Sequence, residues 1–272
     1  MKDKIFFTWL TNYSCNYRCP YCYCSNKWDE VLKRDRCFSR EAILSSWARI
    51  KDRHGEVKIC LSGGEPSRFP HFISLIKELS LMHLVGINTN LSFDVRELVD
   101  NCDPKRVNAG ASFHPYMVTP EEMIKKVLFL AAHGWIVGVV CVGYPPLIPK
   151  LDSYRAYFRS RGINFSIAPF WGKYNGLDYP VSYTEEEKTV VNGCVARRDE
   201  GAFQVTPDKV KGKICRAGMV YAHIMPDGDV MRCGFGGEPM NRNFFDKDFS
   251  LLDKPGPCPV EHCGCMEWVF CE

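Results

Sequence analysis

Three cysteines lie close together near the start of the chain, in the stretch SCNYRCPYC. Cys15, Cys19 and Cys22 have the spacing Cys-x3-Cys-x2-Cys. A four-iron, four-sulfide cluster usually takes four cysteine thiolates, so a set of three leaves one iron open to a small molecule. Structural zinc is the alternative, because it takes four ligands and Cys24 could supply the fourth. The spacing therefore indicates a metal centre and leaves these two kinds open.

A second stretch, SGGEP at 62–66, follows an apolar run that is predicted to be a strand. Gly63 and Gly64 let the backbone approach a ligand closely, and Pro66 stiffens the exit from the turn. A Gly-Gly pair after a strand is most often only a turn. Because this one follows the strand next to the cysteine loop, we interpret it as a ligand-binding loop.

More cysteines lie near the end of the chain. Cys215 and Cys233 flank a predicted β-hairpin that turns at 226–228, within VYAHIMPDGDVMRC. Four further cysteines follow, at Cys258, Cys263, Cys265 and Cys271. A zinc ribbon with four thiolates and a second iron–sulfur cluster both use such a set.

The composition narrows the class of protein. Fifteen cysteines in 272 residues, without a signal-peptide pattern, favour metal binding or catalysis in a reducing cytoplasm over disulfides. The net charge is only +3, and Lys and Arg are spread along the chain rather than gathered for nucleic acid. No apolar run approaches the roughly 20 residues of a membrane span. We expect a cytoplasmic protein that binds neither nucleic acid nor a membrane.

The elements that must position these residues alternate between apolar strands and amphipathic helices. Strands are predicted at 4–10, 56–61, 84–90, 106–113, 135–143 and 164–169, the fifth of them buried on both faces. Helices are predicted at 39–54, 70–82, 94–101, 119–133 and 153–161. Six β-α units in this order favour an α/β fold with a parallel sheet or barrel. Chemistry in such barrels collects at the C-terminal ends of the strands, where both loops described above would lie.

Beyond residue 170 the pattern changes. An aromatic, irregular stretch is followed by a predicted helix from Thr184 to about Arg197, and then by the hairpin. The tail from Asp253 is rich in Pro, Gly and Cys and would not bury a core alone. We therefore predict a barrel core at 1–180 and a small cysteine-rich domain at 181–272.

The two N-terminal motifs together resemble those of the radical S-adenosylmethionine (SAM) enzymes. The matching residues are Cys15-x3-Cys19-Pro20-Tyr21-Cys22 and Gly63-Gly64-Glu65-Pro66, and the resemblance covers about residues 4–170. It implies a partial (β/α)6 TIM-like barrel and a [4Fe–4S] cluster on the three cysteines, with SAM bound to the open iron. It also implies reductive cleavage of SAM to a 5′-deoxyadenosyl radical, which abstracts hydrogen from the substrate, and a reductant such as flavodoxin or ferredoxin.

The resemblance also implies which residues hold SAM. Gly63, Gly64 and Glu65, in the loop that Pro66 completes, would bind its amino group, and Tyr21 would lie near the adenine. The other candidates are at strand ends: Asn88, Asn90, Ser112, Val142 and Tyr144. The stretch SFHP departs from the Ser-x-Asp of relatives that modify peptides. His114 stands where they have an acid, and we expect it to contact the substrate.

The C-terminal cysteines resemble the opening of the auxiliary-cluster domain known as SPASM, or Twitch in its shortened form. The tail departs from the full SPASM pattern and is short, so one auxiliary [4Fe–4S] cluster in a Twitch-like domain is implied. Its expected ligands are Cys215 and Cys233, with two of Cys258, Cys263 and Cys265.

Three reactions are compatible with these motifs. A small polar substrate of the sugar, aminocyclitol or nucleoside type would be dehydrogenated, with the auxiliary cluster taking an electron, or epimerised, with Cys194 or Cys141 as hydrogen donor. A ribosomal peptide is the third possibility, although a first strand that begins by about Lys4 disfavours a leader-binding domain ahead of the barrel. The contrasting class is a non-enzymatic iron–sulfur or zinc protein, which would not consume SAM.

Overall fold

The computed structural model describes residues 5–192, 208–234 and 238–263. The strands are β1 Phe6–Leu10, β2 Lys58–Ser62, β3 Leu84–Thr89, β4 Val107–Phe113, β5 Val137–Gly143, β6 Phe165–Pro169, β7 Gly172–Tyr174, β8 Leu177–Tyr179, β9 Asp208–Lys209, β10 Ile214–Cys215, β11 Tyr221–Ile224, β12 Asp229–Met231, β13 Pro239–Asn243, β14 Gly256–Pro257 and β15 His262–Cys263. The helices are α1 Trp28–Leu32, α2 Arg40–His54, α3 Phe72–Met82, α4 Arg96–Asn101, α5 Pro120–Ala132, α6 Ile148–Arg159 and α7 Glu185–Asn192.

The main sheet has nine strands in the order β13-β12-β11-β1-β2-β3-β4-β5-β6. Strands β1 to β6 are consecutive and parallel. This arrangement confirms the predicted α/β fold with a six-stranded partial barrel. It also brings the C-terminal ends of all six strands to one edge, which is where the loops of interest begin.

One face of the sheet packs against the helices and the other is concave. On β1, Phe7 and Trp9 are fully buried against Trp47 of α2, whereas Thr8 between them is only half-buried. The alternation of side chains along a strand therefore assigns Thr8 and its row to the concave face.

Strand β5 departs from its prediction. Val139 and Cys141 are fully buried, but Val140 and Val142 between them are only half-buried. The expectation of burial on both faces was wrong, because one of its faces belongs to the concave side of the open barrel. A continuous apolar run does not reveal this difference.

The helix boundaries follow the capping signals. The Ser39 side chain accepts the Ala42 N–H at the start of α2, and Thr119 and Glu122 form the predicted capping box of α5. Helix α6 begins at Ile148, five residues earlier than predicted, because Pro149 is tolerated in its first turn. The short helix α1 and the β7–β8 hairpin were not predicted.

The predicted C-terminal hairpin is formed by β11 and β12, which pair antiparallel. It joins the barrel sheet directly, since β11 pairs in parallel with β1 and His223 lies opposite Thr8. The helix predicted to run to about Arg197 is present as α7, and residues beyond Asn192 lie outside the described part. The domain division at 180/181 remains a prediction. Within the described ranges no helix is both long and apolar enough to cross a membrane.

Candidate functional site

The three N-terminal cysteines share one cavity. Cys15, Cys19 and Cys22 lie in the loop after β1 and line a cavity of about 320 Å³ at the C-terminal ends of the strands. Cys24 lines it too, and its backbone N–H lies 3.5 Å from the Cys22 sulfur. Across the described ranges, no three Cys, His, Asp or Glu side chains form a group that could hold a single metal ion.

These thiols differ in their acidity. Burial raises the pKa of Cys19 to about 12, with the neighbouring Cys22 and Cys15 adding to the shift. A hydrogen bond from the Cys24 thiol lowers the pKa of Cys22 to about 6. Cysteines bind metals as thiolates, so metal binding at this loop would release protons.

The start of the cysteine loop is fixed by an acid that the sequence did not indicate. The Asp35 carboxylate accepts the backbone N–H groups of Tyr13 and Ser14 at 2.6 and 3.0 Å. Asp35 lies after α1, 22 residues along the chain from Tyr13. The chain therefore folds back onto the start of the cysteine loop. An isolated acid after a short helix carries no sequence signal for this role.

The Gly-Gly pair packs tightly against the same loop. Gly64 N–H donates to Asn12 O at 2.7 Å, and Glu65 N–H donates to Ser14 O at 2.9 Å. A Cβ atom on Gly64 would lie 2.2 Å from Tyr13 O, and one on Gly63 would lie 2.3 Å from Asn12 O. Glycine is therefore required at both positions to join the loops after β1 and β2.

The buried Glu65 carboxylate ties together the loops after β2 and β3. It accepts hydrogen bonds from Thr89 Oγ1 at 2.6 Å, Asn90 N at 2.8 Å and Ser67 N at 3.0 Å. A carboxylate has about four acceptor positions, so one is left for a further donor. Thr89 was missed by the sequence analysis, because a Thr at the end of a strand is unremarkable by itself.

Most of the predicted SAM-binding residues line this cavity. They are Tyr21, Gly63, Gly64, Glu65, Asn88, Asn90, Ser112 and Val142. Asn90 also connects to the cysteine loop, because its side-chain amide donates to Asn16 Oδ1 at 3.1 Å. Pro66 is buried at the start of a 3-10 turn, and the Tyr144 ring lies 5.2 Å from the Tyr21 ring, so these two flank the cavity.

His114 lines the cavity as well, next to the aromatic residue of the cysteine motif. Its Nδ1 lies 3.0 Å from the Tyr21 hydroxyl, and its ring meets that of Tyr17 edge to face. Burial lowers the pKa of His114 to about 4, so the imidazole is neutral near pH 7. It can offer a hydrogen-bond donor or an acceptor to a ligand, but not a positive charge.

Of the two thiol donors proposed from the sequence, the structure describes only Cys141, and Cys141 does not line this cavity. Cys141 is fully buried and lies on the opposite face of β5 from Val142, which lines the cavity. Burial also raises the pKa of Cys141 to about 12, as expected for a thiol packed in the core. The structure therefore gives no support to Cys141 as a donor, and Cys194 lies outside the described residues.

Four C-terminal cysteines form a second group. Cys215, Cys233, Cys258 and Cys263 are all buried in one small core, which also contains Val210, Ala217 and Tyr221. The fifth candidate, Cys265, lies outside the described residues. Pairing of β10 with β14 brings Cys215 opposite Gly256, two residues from Cys258.

A buried arginine holds the segments of this second group together. The Arg232 guanidinium donates to four backbone carbonyls, those of Cys215, Ala217, Gly256 and Pro257, at 3.1 to 3.3 Å. Its five N–H donors in a planar fork suit this task. No sequence pattern marks Arg232, which precedes Cys233, for this role.

Comparison with known proteins bears on the first site directly. The radical SAM superfamily model matches residues 9–111, a range that contains the three cysteines and the 63–66 loop. The match confirms the radical SAM prediction for this segment and, with it, the [4Fe–4S] cluster and SAM as cofactors. Among curated proteins, none matches the chain.

Several solved structures share the fold at low sequence identity. SuiB of Streptococcus suis bound to SAM is 17% identical, with a TM-score of 0.62 over 91% of this chain and 64% of that one. SuiB bound to the precursor peptide SuiA is 16% identical, with a TM-score of 0.59 over 92% and 64%. Native anSMEcpe with bound AdoMet and Cp18Cys peptide is 15% identical, with a TM-score of 0.62 over 89% and 78%. The chain thus spans a little under two thirds of the SuiB chain.

Proposed function

We propose that this chain is a radical SAM enzyme that removes a hydrogen atom from a substrate bound at the mouth of the barrel. The observation that carries the proposal is the convergence of the three motif cysteines and Gly63 to Glu65 on one cavity. A non-enzymatic carrier would have no use for the second of these features.

The residues present fit the proposed cofactors. The three motif thiols suit a cluster with one open iron, which would supply the electron for cleavage of SAM. Cys15, Cys19 and Cys22 would hold that cluster. The Gly63–Glu65 backbone and the free acceptor position on Glu65 would bind the amino group of SAM, and strand-end side chains would surround its ribose and adenine.

Dehydrogenation of a small polar substrate is the reaction that we favour. The four buried C-terminal thiols are suited to a Twitch-like auxiliary [4Fe–4S] cluster, which would take the electron left on the substrate after loss of a hydrogen atom and a proton. Epimerisation with Cys141 as the hydrogen donor has less support, because Cys141 faces away from the cavity. We place the chain in the cytoplasm, with flavodoxin or ferredoxin as reductant.

Peptide modification is the second candidate. It is favoured by the peptides bound in two similar structures, SuiA in SuiB and Cp18Cys in anSMEcpe, although likeness at this identity extends to the fold alone. An open concave face, on which Asn88 and Asn108 are exposed, would accept a longer substrate.

The test is SAM cleavage by the anaerobically reconstituted full chain with a chemical reductant. We expect 5′-deoxyadenosine from the wild type and from Cys37→Ala, an exposed cysteine outside the cavity, and none from Cys15→Ala, Cys19→Ala or Cys22→Ala. Wild-type rates in any of the three cavity variants would overturn the proposal. Transfer of deuterium from labelled polyols or labelled peptides into 5′-deoxyadenosine would then distinguish the two substrate classes.

A further inference from the structure

The lysine loop, residues 209–213, carries exposed positive charge next to the core formed by the C-terminal cysteines. The stretch DKVKGKICR at 208–216 has four basic residues and one acid. Three of the basic residues are exposed: Lys209, Lys211 and Lys213. Of these three, only Lys211 has an ion pair among the described residues, at 3.8 Å from Glu261, and both of its side chains are more than half exposed. Because an exposed pair is screened by water and salt, the loop presents a net positive charge to the solvent.

The backbone of the lysine loop is bonded directly to one of the buried cysteines. Gly212 N–H donates to Cys258 O at 2.9 Å, and Cys258 N–H donates to Lys213 O at 2.8 Å. Gly212 is exposed, and a Cβ atom there would meet nothing within 4 Å. The solvent is therefore one backbone hydrogen bond away from Cys258, which is itself buried.

Val210 holds the loop against the cysteine core. It is 3% exposed and belongs to the same small core as the four buried cysteines. Its backbone N–H donates to Glu261 O at 3.0 Å, while the lysines on either side of it are exposed. Cys215 follows the loop after two residues. The loop is thus a thin, positively charged cover over the thiols that suit an auxiliary cluster.

The proposed dehydrogenation leaves one electron at the C-terminal site in each turnover, and this electron must leave before the next one. We propose that the lysine loop is the docking surface for an acidic one-electron carrier of the flavodoxin class, which takes this electron. The chain is oxidised by one electron and the flavin of the carrier is reduced by one. Complexes between redox partners bury little surface, so a short loop is large enough. The inference rests on the proposed function, because it requires the auxiliary cluster.

The test measures both binding and electron transfer, with flavodoxin as the probe. It uses the full chain with Cys15, Cys19 and Cys22 changed to Ala, so that the C-terminal thiols are left to hold a cluster. This chain is reconstituted anaerobically, reduced with dithionite, desalted and mixed with oxidised flavodoxin, and the reduced flavin is followed by stopped-flow absorbance. Calorimetric titration of the oxidised chain with oxidised flavodoxin gives the Kd without electron transfer.

The loop variant combines Lys209→Glu, Lys211→Glu and Lys213→Glu. The matched control makes the same charge change at three exposed lysines of the barrel: Lys77→Glu, Lys105→Glu and Lys125→Glu.

We expect the loop variant to bind flavodoxin more weakly and to reduce it at least about tenfold more slowly at 0.1 M salt, because electrostatic steering raises association rates by about 10- to 1,000-fold. The control should remain close to the starting chain. At 1 M salt, where the Debye length is about 3 Å, the difference should largely disappear. Cytochrome c, a basic carrier, should be reduced faster by the loop variant, because the sign of the steering is inverted.

Equal rates and equal Kd values in the loop and control variants would overturn the inference. Equal slowing with flavodoxin and cytochrome c would overturn it too, because it would show damage to the loop and not an effect of charge. If the loop variant loses its iron, Lys213→Glu alone is compared with Lys125→Glu in the same assays. A chain without iron at its C-terminal cysteines would contradict the proposed dehydrogenation together with the inference, whereas iron-loaded variants with equal rates would contradict the docking surface alone.

Discussion

Gly64→Ala tests whether the contact between the first two loops is essential. The added Cβ would lie 2.2 Å from Tyr13 O and 2.4 Å from Ser14 O, whereas real Cβ contacts essentially never fall below 3.0 Å. Both obstacles are backbone atoms, so no side chain can rotate away. The loop after β1 must move by at least about 0.8 Å relative to the loop after β2.

The size of the effect follows from this displacement. Overpacking at a well-ordered contact costs typically about 1–3 kcal/mol, so we expect the free energy of unfolding to fall by that amount. The same loop carries the cysteines, and a misplacement of about 1 Å can reduce a rate by about 100-fold. We expect 5′-deoxyadenosine formation to fall to about that extent, with near-normal secondary structure by circular dichroism.

Gly138→Ala is the matched control for this experiment. It makes the same change in β5, where an added Cβ would meet nothing within 4 Å. We expect it to leave stability unchanged or raise it by up to about 1 kcal/mol, because alanine loses less backbone entropy on folding. If Gly64→Ala matched Gly138→Ala in both urea unfolding and SAM cleavage, the steric argument would be refuted.

Three further predictions concern other parts of the molecule. Arg232→Gln should lower the iron content from about eight to about four per chain and leave SAM cleavage intact, because only the C-terminal thiols lose their anchor; unchanged iron would contradict this. Asp35→Asn loses an acceptor for Tyr13 or Ser14 and should destabilise the chain by about 1–3 kcal/mol in urea unfolding, compared with less than about 0.5 kcal/mol for the exposed Asp52→Asn. Burial lowers the pKa of His83, whose Nδ1 accepts a hydrogen bond from Val57 N–H. The neutral imidazole therefore contributes to stability above a pH of about 6.5, and this contribution is lost as the pH falls, by at most about 1.4 kcal/mol per pH unit. His83→Gln should remove that part of the pH dependence of the free energy of unfolding measured in urea.

The six barrel strands were predictable because each is a short apolar run between clear turn or capping signals. Their ends agree with the structure to within about two residues, and the caps at Ser39 and Thr119 set the helix starts. The convergence of the cysteine triad and the 63–66 loop on one cavity was also predictable, because parallel strands that end at one edge of a sheet bring their following loops together.

The features that could not be predicted from the sequence depend on pairing between distant strands and on which face of the sheet a side chain occupies. Nothing local predicts that β11 pairs with β1, from which it is separated by most of the chain. The apolar run of β5 hides the alternation that turns Cys141 away from the cavity and Val142 towards it. The Asp35 and Arg232 anchors bind backbone groups, which leave no pattern in the sequence.

The central claim is that two separate sets of cysteines bind two clusters, and an iron and sulfide count tests it most directly. The anaerobically reconstituted chain should hold about eight irons, and the variant with Cys15, Cys19 and Cys22 all changed to Ala should hold about four, since each cluster contributes four. A count of about four irons in the wild type and none in the variant, with zinc bound by the C-terminal cysteines, would contradict the claim. It would also remove the electron acceptor on which dehydrogenation depends.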